Sequence, residues 1–250
     1  MRLLNRAVGA ASRRLGRPEL LAAVDASARQ AQREAIGITA VLASALHGDG
    51  IFIDVGANRG QLLRDAVRLS PRAAHVAFEP IPALAAQIAR AFPQVDCRQL
   101  ALGAVPEVTQ FCHFRTLDGW SGLRRSPHVS DAQGDPEYIT VNVSTLDSEL
   151  ADVTPQVLKI DVEGAELQVL QGGRDLLARA RPLIIFEHVA DASALYGAAP
   201  DAPWELLTEL GYTIYSALGE GPFTRAAFAR AGQIVNWLAV PPSRNGAAAR

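Results

Sequence analysis

From Ile51 onward the chain alternates short apolar blocks with stretches whose apolar residues recur every three or four positions. The blocks are "IFIDV", "HVAFE", "VDCRQLAL", "QVLKIDV", "PLIIFEHV", "YTIYSA" and "QIVNWLAV", each of strand length and bounded by Gly, Pro or a charge. Helical spacing covers residues 60–69, "ALAAQIARAF", "AELQVLQG" and Pro203 to Leu210, with glycines at 172, 173 and 211 where helices should stop. Strand and helix in turn predict βαβ units, hence an α/β fold: a doubly wound, mostly parallel seven-stranded sheet. "VTQFCHF" and "YITVNVS" read as antiparallel additions around a Gly-, Ser-, Arg- and Pro-rich loop over 116–137. Upstream, the Ala/Leu-rich stretch to about residue 46 predicts one or two helices. The expected organisation is an N-terminal helical extension over 1–48, one domain over 49–241 and a tail over 242–250.

Charge and composition narrow the partners. With 24 basic against 26 acidic residues, nothing marks a surface for nucleic acid or for an anionic membrane, so a small molecule is the expected partner. No apolar run reaches the ~20 residues that span a bilayer. Cys97 and Cys112 form neither a disulfide framework nor a zinc motif and read as packing residues of a reduced, cytoplasmic protein. Residues 1–18 carry Arg2, Arg6, Arg13, Arg14 and Arg17 without an acid. They read as a solvated basic arm or a packed helix, the alternative being a membrane-lying or transit segment.

Ligands of doubly wound sheets sit beyond the carboxyl ends of the strands, where strand order reverses. The first strand ends in "DVGANRG". Gly56 and Gly60 permit a tight turn, and Asn58 tolerates a left-handed backbone better than most residues. Glu79 ends the second strand, where a carboxylate can accept both hydroxyls of a ribose. A dinucleotide site wants G-x-G-x-x-G around a diphosphate, whereas this turn carries Asp54, which repels phosphate and suits the positive charges of S-adenosylmethionine. An NAD-dependent oxidoreductase and a nucleoside-binding protein without turnover are the alternatives.

The chain resembles the FkbM-type S-adenosylmethionine-dependent methyltransferases, within the Rossmann-like class I methyltransferases. The resemblance lies in "FIDVGANRG", "VAFEPIP", "LALG", "VSTLDSEL", "LKIDVEGAELQVLQGG" and "PLIIFEH", in that order over roughly residues 50–190. It implies an antiparallel last strand, here "QIVNWLAV", and O-methylation of a hydroxyl or carboxyl group on a small-molecule or glycan acceptor. By resemblance Asp54, Gly56, Asn58 and Gly60 line the methionine end of the cofactor, Glu79 binds its ribose, and Ala101 and Leu102 lie beside its adenine.

Methylating a hydroxyl also requires a place for its proton. Asp161, Glu163, Glu166, Glu187 and His188 fall at the ends of the fourth and fifth strands. His188 is the expected base, assisted by Asp161 and Glu187, in a route without metal. The alternative is a divalent cation on Asp161 and Glu187. Acids at a helix start also cap and complement its dipole, which competes as a reading of Glu163 and Glu166. Lys159, the only lysine, is read as a structural partner facing away from Asp161. The 116–137 loop, with Trp120, Arg124, Arg125 and His128, is expected to cover the acceptor and to hold an anionic or sugar group through its arginines.

Overall fold

The computed structural model describes residues 18–126, 129 and 136–242, with side chains from residue 29 onward. The basic run before Pro18, His128 and the tail beyond Pro242 lie outside the described residues. Seven strands form one open sheet: β1 (Phe52–Val55), β2 (Val76–Phe78), β3 (Asp96–Arg98), β7 (Val157–Ile160), β8 (Leu183–Glu187), β9 (Thr213–Ser216) and β10 (Asn236–Val240). Their spatial order is β3-β2-β1-β7-β8-β10-β9. β1 pairs in parallel with β2 and β7, β7 with β8, while β10 runs antiparallel to both β8 and β9. The chain winds outward from β1 to β3, then returns to β7 on the other side, so order reverses between β1 and β7.

Two apolar layers cover the sheet, and the two-residue period of each strand decides which side chain joins which. Phe52, Val157 and Ile185 face the helices α1 (Pro18–Ala45), α2 (Gln61–Leu69) and α3 (Pro82–Ala91), meeting Ile38, Leu42, Leu63 and Ile88. Ile53, Val55, Leu158, Ile160, Ile184 and Phe186 face the opposite layer, which includes Leu170, Leu177, Leu206 and Phe228. That layer is built from α5 (Glu166–Gln171), α6 (Arg174–Ala180), α8 (Ala202–Glu209) and α9 (Arg225–Arg230). The short helices α4 (Leu146–Glu149) and α7 (Ala190–Ala194) complete the described α-helices. α1 is a single helix and part of the core: Leu42 on it is fully buried, and Leu46, just past its end, almost fully. Its Glu34 Oε2 accepts hydrogen bonds from both the backbone N–H and Nδ2 of Asn236, pinning α1 to the start of β10.

"VDCRQLAL" is not one strand. It breaks at Gln99–Leu100: β3 stays in the large sheet, and β4 (Ala101–Leu102) joins β6 (Glu137–Ser144) and β5 (Glu107–His113) in a separate three-stranded sheet of order β4-β6-β5. β5 and β6 form the expected antiparallel pair, but as the floor of this second sheet. The helix over "AELQVLQG" ends at Gln171 with Gly172 as its C-cap, as expected, and Gly173 then caps a second helix, α6. Among the described residues, no helix is long and apolar enough to cross a membrane.

Candidate functional site

The reversal of strand order leaves a crevice at the carboxyl ends of β1, β2 and β7. Gly56, at φ 76°, starts the turn after β1, and a β-carbon there would meet the carbonyl oxygen of Asp161 at 1.9 Å. Only glycine lets the turn pass this close to the end of β7. Asn58 follows at φ 49°, and its N–H donates to Glu79 Oε2 at 2.8 Å. The other oxygen of Glu79 accepts from the Ile81 N–H at 2.9 Å. Glu79 is 3% exposed, and burial pushes its carboxyl up to about 7 despite these two amides. Glu79 thus ties together the ends of β1 and β2 and borders the crevice.

Three cavities meet here. The first is lined by Gly56, Asn58, Phe78, Glu79, Ala101, Leu102 and Phe111, an apolar slot with an acid at its rim. Asp161 and Glu163 close its far end. The second, about 990 Å3, lies between α1 and the β1 turn and is lined by Ile38, Asp54, Arg59, Trp120, Lys159 and Asp161. The third, about 280 Å3, is bounded by Trp120, Glu163, Glu166, Glu187, Val189 and Val235. Asp161 belongs to the first two, Glu163 to the first and third, and Gly119 to all three. Gly60 does not line any of them: its φ is 69°, and an added β-carbon would strike the Phe92 ring at 2.7 Å, so it serves helix packing.

Strand parity explains the charges. Asp54, Lys159, Asp161 and Glu187 lie two or four residues beyond Phe52, Val157 and Ile185, so all project to the α1–α3 side. Lys159 therefore shares a face with Asp161, contrary to the expectation, and its Nζ lies 3.1 Å from Asp161 Oδ2 and 3.5 Å from Asp54 Oδ1. Burial opposes the charge on Lys159, yet Asp161, Asp54 and Glu187 hold its ammonium above the ordinary range. Burial also works against charge on Asp161, but Lys159 and a hydrogen bond from Glu187 together outweigh it, and the carboxyl titrates below its usual range. Asp54 Oδ1 is buried and feels the lysine without a hydrogen bond to it.

Asp161, Glu163 and Glu187 each bring a carboxylate oxygen within 4.8 Å of the others. Glu163 holds a left-handed backbone at φ 58°, which turns its side chain into this group. Burial, then the charges of Asp161 and Glu166, push its carboxyl up to about 9, and burial followed by Asp161 raises Glu187 well above the usual range. Glu166 Oε1 accepts the backbone N–H groups of Val162 and Gly164, which shapes the loop after β7.

His188 stands elsewhere. One residue beyond Glu187, it projects to the opposite face of the sheet and stacks on Phe228 at 5.1 Å between centroids. Nε2 donates to the Pro200 carbonyl at 2.8 Å, and Nδ1 accepts from Ser193 Oγ at 3.2 Å. Both nitrogens are occupied, and burial lowers its pKa, so the geometry corrects the expectation of a base at this position. The loop after β5 does border the crevice: Asp118, Gly119 and Ser121 line the first cavity, and an Arg59–Asp118 ion pair fastens it to the β1 turn. The loop's own Arg124 and Arg125 lie outside the three cavities. The Arg124 N–H donates to Tyr196 Oη at 3.0 Å, and the Arg125 guanidinium sits 6.0 Å from the Phe114 ring centroid.

An open sheet with this strand order, an antiparallel β10 and a glycine turn at the reversal defines the class I methyltransferase fold. Residues 54–214 match the family model of the methyltransferase FkbM domain, and the chain belongs to that family of methyltransferases. The 2-O-methyltransferase NoeI of Sinorhizobium fredii is 29% identical over 169 residues, 61% of this chain and 68% of that protein. The AMB antimetabolite synthetase AmbE of Pseudomonas aeruginosa is 26% identical over 245 residues, 78% of this chain and 11% of that protein. Among solved structures, methyltransferase FkbM from Methylobacillus flagellatus aligns with a TM-score of 0.48 at 15% identity, covering 77% of this chain and 44% of that one. Membership of a methyltransferase family displaces the dinucleotide reading.

Proposed function

We propose that the protein is an S-adenosylmethionine-dependent O-methyltransferase acting on a hydroxyl of a small molecule or sugar. The observation that carries this reading is the acidic seam. Asp161 and Glu163 end the first cavity, and Glu163 continues with Glu187 into the third, beside Trp120. The residues of the first cavity suit the cofactor: Glu79 can accept ribose hydroxyls, and Phe78, Leu102 and Phe111 can enclose a purine, while Asp54, paired with Lys159, lines the adjoining second cavity. Asp54 would face the ammonium of the methionyl group. When bound, the cofactor supplies a methyl group made electrophilic by its sulfonium.

The chain's own residues then have to hold an acceptor oxygen in line and receive its proton. Asp161, whose carboxyl titrates below its usual range and stays ionised, can receive the proton, and Trp120 offers a flat surface on which an acceptor can lie. An anionic acceptor would meet the ionised Asp161 and the buried carboxyls of Glu163 and Glu187 with no cation lining the third cavity, which favours a hydroxyl over a carboxylate as the methylated group. NoeI, a 2-O-methyltransferase by name, supports oxygen as the target. Calorimetry should show S-adenosylmethionine and its demethylated product binding while NAD gives no heat. A panel of hydroxylated small molecules and sugars, read for mass gain after incubation with the cofactor, should yield a methyl ether. Binding of NAD with no response to either sulfur nucleoside would sink the reading.

A further inference from the structure

The seam gathers five carboxyl groups, Asp54, Asp161, Glu163, Glu166 and Glu187, around one ammonium, that of Lys159. Neighbouring carboxylates cannot all stay ionised in a buried corner without a compensating cation. Lys159 answers Asp54 and Asp161, on one oxygen of each. Nothing of like charge stands on the side of Glu163 and Glu187 among the residues lining the third cavity.

We propose that Asp161, Glu163 and Glu187 hold a divalent cation of the magnesium, manganese or calcium kind at the junction of the first and third cavities. Oxygens of the three groups lie within 4.8 Å of one another, and oxygens on opposite sides of a calcium ion stand up to ~5 Å apart. An all-oxygen donor set selects hard cations over zinc or copper. Asp161 keeps Oδ2 on Lys159 and shares a side-chain hydrogen bond with Glu187, whose proton a cation between the two carboxyls would replace. Independent of the three, Glu166 is 1% exposed and borders the same cavity, and its Oε2 has no hydrogen-bond partner among the described residues. An ion's bound water would supply that partner. The cation would lie where an acceptor oxygen must approach, so it would lower the hydroxyl's pKa and orient it, a role that His188, on the far face, cannot fill. This rests on reading the seam as the acceptor side of a methyltransferase.

The test titrates the full chain with Mn2+ and reads free ion by electron paramagnetic resonance. One ion per chain should bind, displaced by Mg2+ or Ca2+. Glu163→Gln and Glu187→Gln should each weaken binding at least about tenfold, while Asp191→Asn, an exposed acid on α7, should not. S-adenosylmethionine calorimetry and thermal melting on every variant show that the fold survives. Should Glu187→Gln fail to fold, Glu163→Gln decides. Wild type binding no tighter than the two glutamine variants overturns the proposal. If Mn2+ binding fails while S-adenosylmethionine still binds, only the cation is lost; if S-adenosylmethionine fails to bind, the methyltransferase reading falls whatever Mn2+ does.

Discussion

At the scale of single residues, parity along strands separates Glu187 from His188. A neighbouring pair at a strand end looks like one catalytic unit in a sequence, but successive side chains leave opposite faces. His188 ended among Phe228, Ser193 and the Pro200 carbonyl. His188→Ala should therefore cost about 1–3 kcal/mol of stability through the broken hydrogen bonds, measured by denaturant unfolding, and change kcat less than about tenfold. A loss of about a hundredfold with the fold intact would return the base role to it. Glu79 makes the opposite case, since burial holds its carboxyl near 7. On the proposed ribose-binding role of Glu79 the accepting form is the carboxylate, so cofactor affinity should fall up to about tenfold from pH 8 to pH 6, and Glu79→Gln should flatten that profile. Its raised pKa also means that the folded chain holds this proton more tightly than the unfolded one. The stability so gained is full below 4.5 and lost as pH rises through about 7.

At the scale of elements, the helix α1 is the piece whose role a linear reading understates. Its Ala/Leu content predicts a helix and leaves open what it covers. In the fold Ala35, Ile38 and Thr39 form a wall of the second cavity, and Glu34, 3% exposed, grips Asn236 at the start of β10. Glu34→Ala should loosen this clamp, lowering the melting temperature and destabilising the fold by about 1.5–3 kcal/mol, the scale of hydrogen bonds to a charged acceptor. An unchanged melting temperature would show that α1 is held by its apolar face alone. The second sheet has a similar lesson. Ala101 and Leu102 reach the first cavity because β4 leaves the main sheet to pair with β6, a departure invisible in the apolar block "VDCRQLAL".

At the scale of the whole molecule, the sequence by itself determined the alternation of strand and helix, and with it the parallel sheet and the count of strands, while the antiparallel last strand was implied by the resemblance to FkbM-type methyltransferases. Apolar periodicity is a local property, and connections through helices leave few topologies open. It also determined the glycine turn and Glu79, because a left-handed Asn58 and a close approach at Gly56 are demands that only particular residue types meet. The tertiary structure alone decided which acids meet. Glu163 reaches Asp161 and Glu187 through a left-handed turn after β7, and Glu187 arrives from β8, more than twenty residues further along the chain. Lys159 joins Asp54 because β1 and β7 are neighbours in the sheet, with Asp54 opposite Lys159 in register. Strand parity was legible in "LKIDV" and would have put Lys159 and Asp161 on one face, whereas the pairing of β1 with β7 was not. Charges act across space at a few ångströms, and spacing along a chain fixes such distances only within one element; between elements, packing sets them.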